Sequence, residues 1–210
     1  MARSPRQRSR TPAALVVIGV HRDELAFGER VVQGLDTAHF AVLRIPEGLL
    51  GQRPRQDQFE QHLRRHHALY SQIHDQFVPG QRLLVDLHSG LDRRGRCADV
   101  LCADPRQLGC IATRTAVADP AGGTVRAIQL IADTALPELR EAGVRPWPVA
   151  RPEIPEAVWG AAEPLYVGLE VYLRRPGTGT PGDWAFARCL LATIADCVLR
   201  DRAPGDAGRP

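Results

Sequence analysis

Residues 14–24 read ALVVIGVHRDE. The first seven are apolar or glycine without a break, which is strand length and suits a strand covered on both faces. The polar cluster follows at once, and residues 25–35 then carry apolar side chains at helical spacing, ending near Gly34. A buried strand running directly into a helix is the unit from which α/β sheets are built.

Working outward, the same alternation recurs. Residues 40–45 (FAVLRI) form a second strand stopped by Pro46, and residues 56–77 place Phe59, Leu63, Tyr70 and Ile73 on one face of a long helix. Pro79 and Gly80 end that helix, and residues 82–87 (RLLVDL) give a third strand. Residues 98–102 (ADVLC) read as a strand, residues 125–132 fit strand or helix, and residues 135–142 read as helix. The proline-rich stretch 145–164 is expected to be an extended loop. Residues 165–173 (LYVGLEVYL) are a strong strand, and residues 184–199 a closing amphipathic helix. The expectation is a three-layer α/β sandwich around a mostly parallel or mixed sheet, as one domain over residues 13–202. The tails 1–12 and 203–210, rich in Arg, Pro, Gly and Ser, are expected to be disordered.

Composition excludes several classes. Hydrophobic residues make up 44% and charged residues 24%, the balance of a soluble globular chain. All 27 basic residues are arginine, yet they form no concentrated stripe beyond the first ten residues, so nucleic acid is not an expected partner. No apolar stretch approaches the roughly 20 residues of a membrane span, and residues 13–20 lead straight into charge without a cleavage site. Five cysteines, odd in number and without a C-x-x-C pair, fit neither a disulfide framework nor a thiolate zinc site. Reduced thiols in a cytoplasmic protein are the expectation, and a homo-oligomer is compatible with the sequence.

Ligands of such sheets gather at the carboxyl ends of the strands, and three polar clusters fall there. His21 and Glu24, separated by two residues at the first turn, project to one side and can share a metal. Asp86 and His88, at the end of the third strand, lie on one face because strand side chains alternate. Two histidines and a glutamate leave a coordination position open to water, the pattern of a catalytic zinc site holding one ion. Glu170, between Leu169 and Val171, is costly to bury unless paired or placed at a site. It is either a general base with a raised pKa or the partner of an arginine. His62 and His66, four apart on the long helix, are a metal pair by spacing but read as a half-solvated helix face, as does His67. Trp147, Trp159 and Trp184 read as packing residues.

VHRDELAFGERVV followed by LLVDLHSG resembles the zinc carboxypeptidase superfamily, especially its aspartoacylase and succinylglutamate desuccinylase branch. The resemblance runs from Ala14 to about Leu173. It implies the carboxypeptidase or phosphorylase/hydrolase-like fold, zinc at His21, Glu24 and His88, and Glu170 as the base that activates water. It implies hydrolysis of an amide bond in an N-acyl amino acid or a peptide-like carboxylate. LVDLHSG, ADVLCADP and RRHHALYSQI are also similar to the N-formylglutamate amidohydrolases, an alternative of the same class. The branch's D-L-N-R block is absent; residues 44–58 read RIPEGLLGQRPRQDQ instead. Arg53 is the arginine expected to stabilise the oxyanion, with Arg44 and Arg55 equally cationic. Loss of that block leaves a non-catalytic, metal-binding relative that takes a small acid or a protein partner as the other reading.

Overall fold

The computed structural model describes residues 11–51, 55–93, 96–118, 123–132 and 147–200. The expected helix at 135–142, Arg53 and nearly all of both tails lie outside the described residues.

Among the described residues, seven strands form one mixed sheet: β1 (Ala14–Ile18), β2 (Phe40–Arg44), β3 (Leu83–Leu91), β4 (Cys97–Cys102), β5 (Thr124–Leu130), β6 (Val149–Ala150) and β7 (Leu165–Leu173). Their order is β2-β1-β3-β7-β4-β5-β6, parallel throughout except where β7 meets β4. The α/β sandwich of the sequence reading is therefore present, in its mixed-sheet form.

Helices cover both faces. α1 (Leu25–Val32), α3 (Pro105–Ala118) and the closing α5 (Pro181–Arg200) pack on one face, where Phe27, Val31, Leu108, Ile111, Leu190 and Ile194 meet the sheet in a single apolar cluster. α2 (Phe59–His74) and the short α4 (Glu156–Trp159) cover the other face with Tyr70, Ile73, Val158 and Trp159. No described helix is long and apolar enough to cross a membrane.

Several elements differ from the sequence reading. No element was expected over residues 103–124, yet α3 occupies most of them. Its start is marked by Asp104, whose Oδ1 accepts the Arg106 and Gln107 N–H groups, with Pro105 at the first helical position. Residues 125–132 resolve as strand, because β5 pairs with both β4 and β6. The stretch 145–164 is not wholly loop: β6 and α4 lie within it. The expectation of five reduced cysteines is corrected, since Cys110 of α3 is joined to Cys197 of α5 by a disulfide. The cytoplasmic expectation loses that support. The two partners stand 87 residues apart in sequence, and no local spacing announces them.

Candidate metal centre

β1 stops at Ile18, opposite Leu87, while β3 continues three residues past His88 in register with β7. His88 is thus within a strand rather than beyond its end, because β7 still pairs with β3 there. The space that β1 vacates is filled by the turn after it. Gly19 makes that turn with φ +81°, and a side chain there would collide with the Ile45 carbonyl. The backbone is then held by Leu49 on both sides: its N–H donates to Val20 O at 2.7 Å, and its carbonyl accepts from Arg22 N at 2.8 Å. One turn of 3₁₀ helix, Arg22–Glu24, follows and swings Glu24 back over His88.

The three expected ligands converge. Glu24 lies with Oε1 2.9 Å from His21 Nδ1 and Oε2 2.9 Å from His88 Nδ1, and its Oε2 also accepts the Ser89 N–H at 3.2 Å. One donor atom from each residue lies within 4.8 Å of the others. Burial would raise the Glu24 pKa, but the hydrogen bonds to His21 and His88 and their charges bring it down to about 2. Glu24 is therefore a carboxylate at any working pH.

Asp86 orients His88 from beneath. It is 1% exposed, and its Oδ2 lies 2.9 Å from His88 Nε2 while accepting the Tyr70 hydroxyl at 2.6 Å and the Tyr166 hydroxyl at 3.1 Å. Burial alone would raise the Asp86 pKa, yet the charge and hydrogen bond of His88 and the two hydroxyls lower it. With Nε2–H given to Asp86, the His88 lone pair at Nδ1 faces Glu24. Nothing but a proton or a cation can sit between that lone pair and a carboxylate oxygen. With a proton there, burial opposes the charge on His88, but Asp86 and Glu24 outweigh it and raise its pKa well above the usual histidine value. Two imidazoles, one carboxylate and a carboxylate behind one imidazole are a donor set that fits a zinc-type ion.

Glu170 stands directly across from His88, as its partner in the β3–β7 register, and Asp99 of β4 stands across from Glu170 in turn. Its Oε1 lies over Gly90, where an added Cβ would come within 2.6 Å. Burial raises the Glu170 pKa; the His88 charge draws it back, and Glu24 and Asp99 push it up again. Of the two sequence readings of Glu170, the arginine pair is not found: no arginine pairs with it among the described residues. Arg126, on β5, instead makes a bidentate pair with Asp99 at 2.6 and 2.8 Å, and Tyr172 donates to the same carboxylate at 2.9 Å. His21, Glu24, His88 and Glu170 line one cavity of about 220 Å³ whose other walls include Leu101 and Leu130. Polar atoms converging in an apolar-walled cleft are the usual form of a small-molecule site.

Of the arginines expected near the site, Arg53 lies outside the described residues, and Arg44 and Arg55 are not brought to it. Arg44 pairs with Glu29 of α1 at 2.8 Å on the far face, and Arg55 is exposed, 3.8 Å from Asp57. Sequence reasoning missed Tyr70 and Tyr166, whose phenols satisfy Asp86, and undervalued His66. That histidine was expected on a half-solvated face, but it is 7% exposed, with its ring centroid 5.7 Å from that of His21. Burial, followed by the charges of His62 and His21, lowers its pKa to about 4. Tyr70 lies four residues on from His66, the spacing that puts both on one helix face.

No protein-family model and no curated protein matches this chain. Among solved structures, murine aminoacylase 3 superposes over 94% of this chain and 66% of its own, at 14% identity and a TM-score of 0.45. The bacteriophage poly-gamma-glutamate hydrolase superposes over 88% of this chain and 84% of its own, at 11% identity and a TM-score of 0.45. The catalytic domain of an N-acetylmuramoyl-L-alanine amidase from Bacillus (Paenibacillus) polymyxa covers 90% and 97%, at 10% identity and a TM-score of 0.38. This chain spans about two thirds of the length of aminoacylase 3. At such identities and TM-scores these likenesses assign neither family nor activity.

Proposed function

We propose that the chain is a zinc-dependent hydrolase of an amide bond in an N-acyl amino acid or a peptide-like carboxylate. The observation that carries this reading is the convergence of His21, Glu24 and His88 beside a buried carboxylate, Glu170, in one cavity. When bound, the ion supplies a Lewis acid that polarises the scissile carbonyl and acidifies water.

The chain's own groups do the rest. His21, Glu24 and His88 hold the ion, and Asp86 keeps the His88 Nε2 proton so that Nδ1 is the ligating atom. Glu170 takes the proton from the attacking water as the C–O bond forms. It then delivers that proton to the amine nitrogen as the C–N bond breaks, so that one carboxyl group serves as base and then as acid. Its raised pKa suits both halves of that exchange. Leu101 and Leu130 limit water around the reacting carbonyl, which strengthens every charge interaction there. Arg53 is assigned the oxyanion.

Metal analysis and turnover on a panel of N-acyl amino acids test the reading. Wild type should carry an ion that His88→Ala loses together with all activity. Glu170→Gln should keep the ion and lose about 10²- to 10⁴-fold in kcat. Glu170→Gln at wild-type rates would overturn the assignment of the base. A metal-loaded wild type that turns over no amide would favour the non-catalytic relative.

A further inference from the structure

Beyond Leu173, the last residue of β7, the chain runs RRPGTGT over residues 174–180 and then enters α5. This loop, with Arg96 just before β4, borders a second cavity of about 750 Å³. It shares no lining residue with the cavity of the candidate metal centre. Its size falls within the range of small-molecule sites, roughly 300–1,000 Å³. Three arginines, Arg96, Arg174 and Arg175, line it against one acid, Asp183, so two positive charges are left over. Neither Arg174 nor Arg175 has an acidic partner among the described residues.

Asp183 is already committed. Its Oδ1 accepts from Arg96 Nε at 3.3 Å, and its Oδ2 accepts the Thr180 N–H at 2.9 Å and hydroxyl at 2.7 Å. Because that carboxylate caps α5, an anion in the cavity is drawn by the guanidinium groups and not by the helix end. The loop is fixed from below. The Trp184 indole N–H donates to the Thr178 carbonyl, and a side chain added at Gly179 would press on Leu173 and Phe27 of the core. A wall set before the ligand arrives lowers the ordering cost of binding. Arginines scattered singly over a surface need no explanation, but a hollow lined by one sign of charge concentrates counter-ions.

We propose that this cavity binds a small polyanion, a molecule carrying two or more carboxylate or phosphate groups. Guanidinium groups present paired N–H donors that match either group bidentately. Two surplus charges call for at least two negative ones, and the volume exceeds what a single inorganic anion fills. A concave site admits a small molecule, whereas nucleic acid calls for a basic stripe. The inference goes beyond the amide-hydrolase reading and does not rest on it, since no metal ligand or base takes part.

Isothermal titration calorimetry of the full-length protein at low ionic strength tests it, with inorganic pyrophosphate and citrate as probes. Wild type should bind one probe molecule per chain. Arg174→Gln combined with Arg175→Gln, and Arg96→Gln separately, should weaken that binding about tenfold or more, the loss expected of one charged contact. Arg64→Gln, at an exposed arginine of α2, controls for overall charge and should bind as wild type does. Both probes chelate zinc, so His88→Ala excludes capture at the first site and should also bind as wild type does. Thermal melts show whether each variant is folded. Preference for one probe over the other names the anionic group and upholds the site. Binding unchanged in the double variant, lost in His88→Ala, or weakened equally in Arg64→Gln overturns it. So does a wild type that binds neither probe. Metal content and amide turnover are read separately, so either site stands or falls without the other.

Discussion

One face of the sheet is apolar throughout, while the other sets a polar patch within its apolar cluster. Under α1, α3 and α5 the sheet shows Val16, Ile18, Val85, Leu87, Val100, Val167, Leu169 and Val171, all buried. The hydroxyls of Thr115 and Thr193, buried on those helices, return to carbonyls of their own helix. Under α2 the same strands bury Asp86 and Asp99 and present His88 and Glu170, with two tyrosines pointing their phenols into the sheet. β3 shows the division within a single strand. Val85 and Leu87 face one way into hydrocarbon, and Asp86 and His88 the other way into the site. Period-two alternation thus lets one strand serve as core on one side and as ligand scaffold on the other. The apolar face supplies the stability that lets the polar face keep charges at low dielectric.

Variants on the two faces should break in different ways. The largest loss of stability is expected on the apolar face. Leu190→Ala removes a fully buried side chain between α5 and the sheet, and should cost about 2–5 kcal/mol in urea unfolding while the metal content stays unchanged. Asp86→Asn is the matching change on the polar face. It should weaken metal binding about 10- to 100-fold, read by competition with a chelator, because the amide no longer anchors His88 as a charge. If Asp86→Asn altered unfolding but not metal affinity, the division between the faces would not hold.

The smallest effect lies at the start of α5, away from both. There Asp183 Oδ2 accepts the Thr180 N–H at 2.9 Å, and the Asp183 N–H approaches Thr180 Oγ at 3.4 Å, a reciprocal cap. Asp183→Asn should cost about 1 kcal/mol. Burial opposes the Asp183 charge, but the Thr180 and Arg96 hydrogen bonds lower its folded pKa below 3.8. Its ionised form therefore contributes fully above the unfolded value and loses that contribution as pH falls through the folded one. The gap between wild type and Asp183→Asn should close in that acid range, as followed by thermal melts.

Much of this was legible residue by residue. The strand at Leu165–Leu173 matches the apolar run end for end, and His21, Glu24 and His88 announced themselves as polar clusters after apolar strands. α3 was legible too, in Asp104-Pro105, but its apolar residues are interrupted by Gly109, Thr113 and Thr115, which blunts the helical period. His66 was misjudged because a helix wheel ranks faces by average polarity, whereas α2 is pressed onto a sheet face that is itself partly polar.

The sequence by itself determined the alternating α/β plan and singled out the His21, Glu24 and His88 cluster, since both rest on periodicity and on residues close to strand ends. Only the tertiary structure decided that β7 enters between β3 and β4, antiparallel to β4. That insertion sets Glu170 opposite His88, brings Tyr166 to Asp86, and gives Arg126 to Asp99 rather than to Glu170. The Cys110–Cys197 bridge and the His62–Glu153 approach are of the same kind. Each joins segments far apart in the chain, and strand order and helix docking are chosen by the burial of the whole sheet, which no local window of residues records.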